Sequence, residues 1–367
     1  MTEHERSQSS IVVYTGPGSS NSWIWLADFL EERDFLGARF CPDPGDVLSA
    51  PDRCLLIVPG GDTFRIGEVF GKEGLAELGR RISDGMSYIG ICAGAYLPLR
   101  SSVAPLSSFN LLSAKISNIS SELPAGIAEP GRHSVRYGCS YVFHPARGPV
   151  RLSGDARLVA PIYGGPFLIP SDGERVRLTF SGTTEGTELI VDKGCYEKIS
   201  AGRAACIEGA HGKGRVVAIA PHLEHPDYPE ANDYFEGLLR GFDVSGHSAR
   251  TDSGPTADLR DLRSVLADLR LLLNALDTRR WTVGIKSWEG EKLLLFVDAV
   301  RRRIVAMRGR GNDGFPLPAI ALASFAKARE TLRGGRELEA ADVDSLARAL
   351  SDGASHFLNA HFSWMSE

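Results

Sequence analysis

The sequence predicts an α/β fold with a mostly parallel sheet, an antiparallel insertion and a small C-terminal domain. Short apolar runs rich in β-branched residues alternate with segments of helical spacing, and the early runs end in glycine-rich turns. Strands that alternate with helices in this way form parallel sheets covered on both faces. After residue 134 the pattern changes to short alternating segments separated by Gly, Pro and Asp, which predicts antiparallel strands and hairpins.

Three strand–turn units open the chain. The first has the strand Ile11–Tyr14, a Gly-Pro-Gly turn and a helix carrying Trp23, Trp25 and Phe29. The second and third units are a strand at Cys54–Val58, stopped by Pro59-Gly60-Gly61-Asp62 and followed by a helix over about 64–82, and a strand at Met86–Ile91, broken at Cys92-Ala93-Gly94. A final strand at Arg215–Ala220 and a helix near 231–241 complete a predicted first domain, residues 10–242.

The remaining chain predicts a linker and a second, smaller domain. Residues 243–256 are rich in Ser, Gly and Asp, and 257–367 read as a small mixed or mostly helical domain. Its predicted elements are an amphipathic helix over Leu259–Leu273, strands near Trp281–Lys286 and Leu293–Val300, and helices near 319–331 and 340–358. Arg301, Arg302 and Arg303 indicate either a solvated face or a surface for an anionic partner.

Composition and charge exclude several classes of function. Of the 367 residues 43% are apolar, and the net charge is -5, which makes a nucleic-acid partner unexpected. The polar N-terminus does not resemble a secretion signal, and no apolar run is long enough to span a membrane. We therefore expect a cytoplasmic protein. None of the six cysteines has zinc-ligand spacing, so we expect neither a disulfide framework nor a metal, and no cofactor.

Cys92 is the candidate nucleophile. Gly90-Ile91-Cys92-Ala93-Gly94 has the form of an elbow between a strand and a helix, in which flanking glycines permit a tight, strained turn. The helix N-terminus at such a turn favours the thiolate form of the side chain. The alternative is a cysteine that only packs a tight turn.

His222 and Glu224 are the predicted partners of Cys92. They follow the Arg215–Ala220 strand, at the carboxyl edge of a parallel sheet, where ligands of α/β proteins bind. The H-x-E spacing lets Glu224 orient the imidazole, which can then shuttle a proton to and from the thiol. His225, with Asp227 as a possible partner, competes for the role of base.

Backbone amides near the nucleophile are predicted to form an oxyanion hole. Gly60 and Gly61 allow close backbone approach, and the Ala93 amide would be the second donor. Asp62 is expected to cap the following helix.

Taken in order, the PGGD, GICAGAY and HLE motifs resemble the class I glutamine amidotransferase-like superfamily. With YTGPGSS and IYGGP, they resemble more narrowly the amidotransferase-like domain at the N-terminus of eukaryotic biotin–protein ligases, over about residues 10–242. The resemblance implies a flavodoxin-like, doubly wound sheet and a triad of Cys92, His222 and Glu224. Glutamine-hydrolysing members usually carry Gln where this chain has Tyr96, which leaves the substrate open. Tyr163, Gly164 and Gly165 would form either a pocket wall or a simple hairpin turn.

The sequence therefore predicts a cysteine-dependent hydrolase or amidotransferase that cleaves the C–N bond of a small-molecule amide through a thioester. No ATP-binding motif is present, so released ammonia would need a partner synthetase, which the C-terminal domain could engage. No biotin-ligase catalytic loop follows either; the RGRG segment at 308–311 reads as a basic loop. Two alternatives remain: a noncatalytic ligand sensor or scaffold, and a cysteine peptidase of the same superfamily.

Overall fold

A computed structural model describes residues 10–124, 134–137, 140–242, 244, 255–276, 278–284, 286–307, 315–334 and 337–366. Its strands are β1 Ser10–Tyr14, β2 Arg39–Cys41, β3 Cys54–Val58, β4 Ser87–Ile91, β5 Lys115–Ile116, β6 Ser134–Tyr137, β7 Ser140–Phe143, β8 Ala146–Gly154, β9 Leu158–Ile162, β10 Leu168–Ile169, β11 Arg175–Thr183, β12 Glu188–Leu189, β13 Ala204–His211, β14 Gly214–Ile219, β15 Arg280–Val283 and β16 Lys286–Glu289. Its helices are α1 Ser22–Glu32, α2 Pro44–Leu48, α3 Thr63–Asp84, α4 Ala93–Tyr96, α5 Lys193–Ser200, α6 Pro229–Arg240, α7 Leu259–Asn274, α8 Gly290–Met307, α9 Ala319–Arg333 and α10 Ala340–Met365.

Five parallel strands form the centre of the molecule. They are ordered β2-β1-β3-β4-β14, and all four neighbouring pairs are parallel. This is the flavodoxin-like 2-1-3-4-5 order when the five strands are counted along the chain. The order places the ends of β1, β3, β4 and β14, and so the loops that follow them, at one edge of the sheet.

The antiparallel insertion extends the same sheet beyond β14. The order continues β14-β13-β11-β8-β12, with antiparallel pairing at each step. The predicted fold class, a doubly wound, mostly parallel sheet with an antiparallel insertion and a mostly helical C-terminal part, is confirmed.

Both faces of the parallel strands are buried, as alternating side chains require. Along β1, Val12 and Tyr14 belong to a hydrophobic cluster under α2 and α3, whereas Ile11 and Val13 belong to a second cluster on the opposite face. The second cluster is continuous with apolar side chains of α1, α6 and the C-terminal helices α7 to α10. The C-terminal helices therefore cover one face of the sheet.

Polar contacts attach α10 to the edge of the sheet. The Asn359 side chain accepts from the N–H of Phe40 in β2 and donates to its carbonyl, both at 2.8 Å. Ser351 donates to the Thr15 carbonyl (2.9 Å) and accepts from the indole N–H of Trp23 (3.1 Å). The two Asn359 bonds satisfy backbone groups that an open edge strand would expose. The domain boundaries at 242 and 257 stay a prediction, and most of the predicted linker lies outside the described residues.

One local prediction about the chain is wrong. Leu293–Val300 is not a strand but part of α8, because its buried residues Leu293, Phe296, Val297 and Val300 recur at helical spacing. The helix predicted over 64–82 is present as α3, with a break at Gly71, whose φ is 67°. Carboxylates pair with the arginines at 301–303, which argues against the alternative of a surface for an anionic partner. Arg302 and Arg303 pair with Asp28 of α1 at 2.8 and 2.9 Å, and Arg301 pairs with Asp298 at 3.1 Å.

Among the described residues, the helices lack an apolar stretch of the length that a membrane crossing needs. The RGRG segment lies outside the described residues.

Candidate active site

Cys92 lies at a strained bend between β4 and α4. Its φ is 52° and its ψ is -104°, a region that non-glycine residues rarely occupy. The two flanking positions must be glycine, because neighbouring backbone atoms leave no room for a Cβ. A Cβ on Gly90 would lie 2.1 Å from the Gly94 oxygen, and one on Gly94 would lie 2.0 Å from the Val58 oxygen. The bend is therefore locked between β3 and the start of α4, and it holds the thiol at the carboxyl edge of the sheet.

The strain at Cys92 has a measurable consequence for stability. Glycine usually destabilises a folded protein relative to alanine, by about 0.5–1 kcal/mol. At this φ and ψ the order should reverse, because only glycine avoids a strain of about 1–3 kcal/mol. We expect Cys92→Gly to be more stable than Cys92→Ala by about 1 kcal/mol in urea unfolding. An alanine variant as stable as the glycine variant would show that the bend is not strained.

His222 and Glu224 form a buried pair behind Cys92. His222 Nδ1 lies 2.7 Å from Glu224 Oε1, and the two residues are only 2% and 0% exposed. The loop that carries them is held at several points: the His222 amide donates to the Pro161 carbonyl at 2.9 Å, and the Asn232 side chain donates to the Leu223 carbonyl at 2.7 Å. The imidazole is thus fixed in position, with its other nitrogen left for the thiol.

The electrostatics of this pair favour the imidazolium. Burial by itself lowers the pKa of His222, but the negative charge of Glu224 and a side-chain hydrogen bond with Cys92 outweigh it. The net result raises the pKa of His222 to about 10. A positively charged ring next to the sulfur is the arrangement that stabilises a thiolate.

His225, the competing candidate for the base, has a different environment. Its ring lies against Trp25, with centroids 4.3 Å apart, and its Nδ1 accepts from the Asp227 amide at 3.3 Å. Asp227 Oδ2 is 3.9 Å away, and burial lowers the pKa of His225. His222 lines the cavity that holds Cys92 and His225 does not, so the geometry favours His222 as the base.

The loop between β3 and α3 lies directly beside Cys92 and His222. A Cβ on Gly60 would lie 2.9 Å from His222 Cε1 and 3.5 Å from Cys92 Cβ. Gly61 has a φ of +153°, and a Cβ there would lie 1.9 Å from the Gly18 oxygen. Asp62 caps α3 by accepting from the amides of Phe64 (3.0 Å) and Arg65 (3.1 Å), as the sequence predicts.

The Ala93 amide is placed on the same side of the bend. Ala93 is the first residue of α4, and the N–H of a first helical residue has no acceptor within its own helix. Its carbonyl accepts from the Thr63 hydroxyl at 2.6 Å, which ties the Gly60–Gly61 loop to the elbow. Gly60, Gly61 and Ala93 all line one cavity together with Cys92 and His222.

The insertion supplies a further wall of this cavity. The Tyr96 hydroxyl donates to the Gly164 carbonyl at 2.8 Å, and Tyr96 is only 5% exposed. A Cβ on Gly165 would lie 1.9 Å from the Ala220 oxygen, so this glycine allows the loop to pack on the end of β14. The Tyr163 ring lies 5.8 Å from the His222 ring and completes an aromatic group with Trp25. Tyr96 thus fixes the loop of Tyr163 and Gly164 beside the candidate triad.

The cavity has a volume of about 720 Å³, within the usual range for small-molecule sites. Several residues that line the cavity were not predicted from the sequence. One group, Ser20, Asn21 and Ser22, follows β1 at the same sheet edge. A polar run directly after a parallel strand is a signal that could have predicted their place in the site. Arg280, Lys286, Glu289 and Lys292 come from the C-terminal part, where no sequence signal pointed to a site.

No protein-family model matches this sequence, and no curated protein matches it. Solved structures do resemble it. A Thermoplasma acidophilum protein described as a GMP synthase subunit matches 65% of this chain and 96% of its own, at 15% identity and a TM-score of 0.36. Gan42B, a GH42 β-galactosidase of G. stearothermophilus, matches 64% of this chain and 30% of its own, at 11% identity and a TM-score of 0.40. The exo-β-1,4-mannosidase Op5Man5 of Opitutaceae bacterium strain TAV5 matches 64% of this chain and 36% of its own, at 12% identity and a TM-score of 0.33.

The chain thus spans about a third of the length of the two glycosidases. At these identities and scores the similarity extends neither to activity nor to substrate.

Proposed function

We propose that this protein is a cysteine-dependent hydrolase or amidotransferase-like enzyme that cleaves the C–N bond of a small amide. The proposal depends on one observation: Cys92, held at a strained strand-to-helix bend, lines one cavity with His222, whose imidazole Glu224 holds from behind at 2.7 Å. A strained nucleophile, a base and an orienting carboxylate are the parts that covalent acyl transfer requires.

The first half of the reaction forms a thioester. The Cys92 thiolate attacks the carbonyl carbon of the amide, and the carbonyl oxygen becomes an oxyanion. The amides of Ala93 and of the Gly60–Gly61 loop are the proposed donors to this oxygen. His222, as imidazolium, gives its proton to the leaving nitrogen, so that the C–N bond breaks and an amine or ammonia departs.

The second half consumes water. Neutral His222 takes a proton from a water molecule, whose oxygen attacks the thioester carbon. The C–S bond then breaks, and Cys92 leaves as the thiolate. The sum is an amide plus water giving a carboxylic acid and an amine, with the enzyme returned to its starting state.

Two other functions use the same cavity. As a noncatalytic sensor, the domain would bind a metabolite without a reactive thiol; the tyrosine at position 96, in place of the usual glutamine, is the feature that favours it. As a peptidase, the enzyme would use the same triad on peptides. The proposed function and the sensor differ in the reactivity of Cys92, and the peptidase differs in substrate size.

The reactivity of Cys92 can be measured without knowing the substrate. At pH 6.5 we expect iodoacetamide to alkylate Cys92 at least about tenfold faster than Cys195, which is half-exposed and lies outside the cavity. Burial raises the pKa of Cys41 to about 11 and those of Cys54 and Cys206 to about 12, so these thiols should stay unmodified. Peptide mass spectrometry would resolve the sites. Equal rates at Cys92 and Cys195 would reject the reactive thiolate and favour the sensor.

A further inference from the structure

The hairpin of β15 and β16 brings residues of the C-terminal part to Cys92. Lys286, the first residue of β16, lines the cavity that holds Cys92 and His222. The hairpin is packed closely against the loop that carries the proposed oxyanion donors: a Cβ on Gly284, whose φ is +59°, would lie 2.4 Å from Asp62 Oδ2. The position of Lys286 is therefore set by contact between the two parts of the chain.

The other cations of the hairpin and of α8 at this cavity are paired. Arg280 Nε lies 3.0 Å from Glu289 Oε1, and Lys292 Nζ lies 2.7 Å from Glu289 Oε2. Lys292 also donates to the Ser287 carbonyl at 2.9 Å. Glu289 is thus shared by two cations.

Lys286 differs from these neighbours. Among the described residues, its ammonium has no carboxylate within ion-pair distance and no hydrogen-bond acceptor; it lies over the Trp288 ring, 5.6 Å from the centroid. Burial, and then the charge of Lys292, lower the pKa of Lys286 to about 7, while Cys92 and Glu289 act in the opposite direction. The protein therefore leaves this ammonium poorly compensated.

We infer that Lys286 binds a carboxylate group of the substrate, so that the enzyme acts on amides that carry a negative charge near the scissile bond. This inference rests on the proposed function of Cys92. One uncompensated ammonium matches the single charge of a carboxylate, whereas a phosphate would carry close to two and require further donors. Lys286 would also offset the repulsion between an anionic substrate and the Cys92 thiolate, as complementary charges do at other binding sites.

A pair of alkylating reagents tests this inference directly. Iodoacetate and iodoacetamide both alkylate sulfur through a CH₂ carbon and release iodide, but only iodoacetate carries a carboxylate. The ratio of their rates at Cys92, divided by the same ratio at Cys195, measures the preference of the site for the anion. We expect this normalised ratio to be about ten, the scale of a partly buried charge pair.

Three variants locate the effect. Lys286→Gln should lower the normalised ratio about tenfold by slowing iodoacetate alone, and Lys286→Arg should largely retain it. Lys72→Gln is the matched control: it makes the same change at an exposed lysine of α3 outside the cavity, and should change the ratio little.

Several outcomes would overturn the inference. An unchanged ratio in Lys286→Gln would show that Lys286 binds no anion, and equal slowing of both reagents would show that it acts only on the thiolate. Stronger protection of Cys92 by inorganic phosphate than by acetate, at equal ionic strength, would reject the carboxylate.

If Cys92 reacts with neither reagent, the proposed function is rejected, and the inference about Lys286 is tested separately by binding. Isothermal titration calorimetry then decides the inference. It would measure the binding of anionic glutaramate and of neutral glutaramide, each to the wild type and to Lys286→Gln. Tighter binding of glutaramate that depends on Lys286 would support it, and binding that does not would reject it.

Discussion

Replacing Cys92 by serine is expected to reduce amide hydrolysis by at least about 10³-fold, the scale seen when an enzyme loses its nucleophile. Serine keeps the size and the bend but supplies a hydroxyl, which His222 is not arranged to deprotonate, because the ring is held as an imidazolium by Glu224. The free energy of unfolding should stay within about 1 kcal/mol of the wild-type value, because the change is small and borders a cavity.

The measurement is turnover across a panel of primary amides, N-substituted amides and short peptides, beside urea unfolding of the same samples. Cys195→Ser is the control, since it makes the same chemical change at a thiol outside the cavity and should retain full activity. Undiminished turnover in Cys92→Ser would reject the nucleophile. Turnover confined to peptides would favour the peptidase.

Glu224→Gln is expected to slow alkylation of Cys92 by iodoacetamide at pH 6.5 by about 100-fold. Glutamine preserves the shape of the side chain but removes the charge that raises the pKa of His222 to about 10. Burial opposes the charged form of the ring, so the pKa of His222 should fall when the charge of Glu224 is removed. The thiolate loses its cationic partner.

The pH profile separates this cause from a loss of structure. In the wild type the imidazolium persists up to about pH 10, so the alkylation rate should depend less on pH than in the variant. In Glu224→Gln the rate should rise steadily with pH, as for an ordinary thiol. Asp227→Asn, the same kind of change beside His225, should leave both rate and profile intact. A Glu224→Gln protein that reacts at the wild-type rate would show that the carboxylate does not support the thiolate.

The elements that local chemistry determines could be predicted well. The strands β1, β3, β4 and β14 were found within one or two residues, because apolar β-branched runs stopped by glycine have few other conformations. The elbow could likewise be predicted from its glycines, since Gly90 and Gly94 lie where backbone atoms of neighbouring segments leave no room for a Cβ. For α8 this approach failed, because a short apolar run fits a strand or a buried helix equally well.

The order of the strands and turns, the bend at Cys92 and the H-x-E spacing follow from steric limits and periodicity within a few residues, so they could be predicted without a structure. Long-range packing alone brings His222, and not His225, to the cavity of Cys92, joins Tyr96 to Gly164, and places Lys286 at the cavity. These contacts join segments up to almost 200 residues apart. They depend on how the insertion and the C-terminal helices pack on the sheet, and no local pattern encodes that packing.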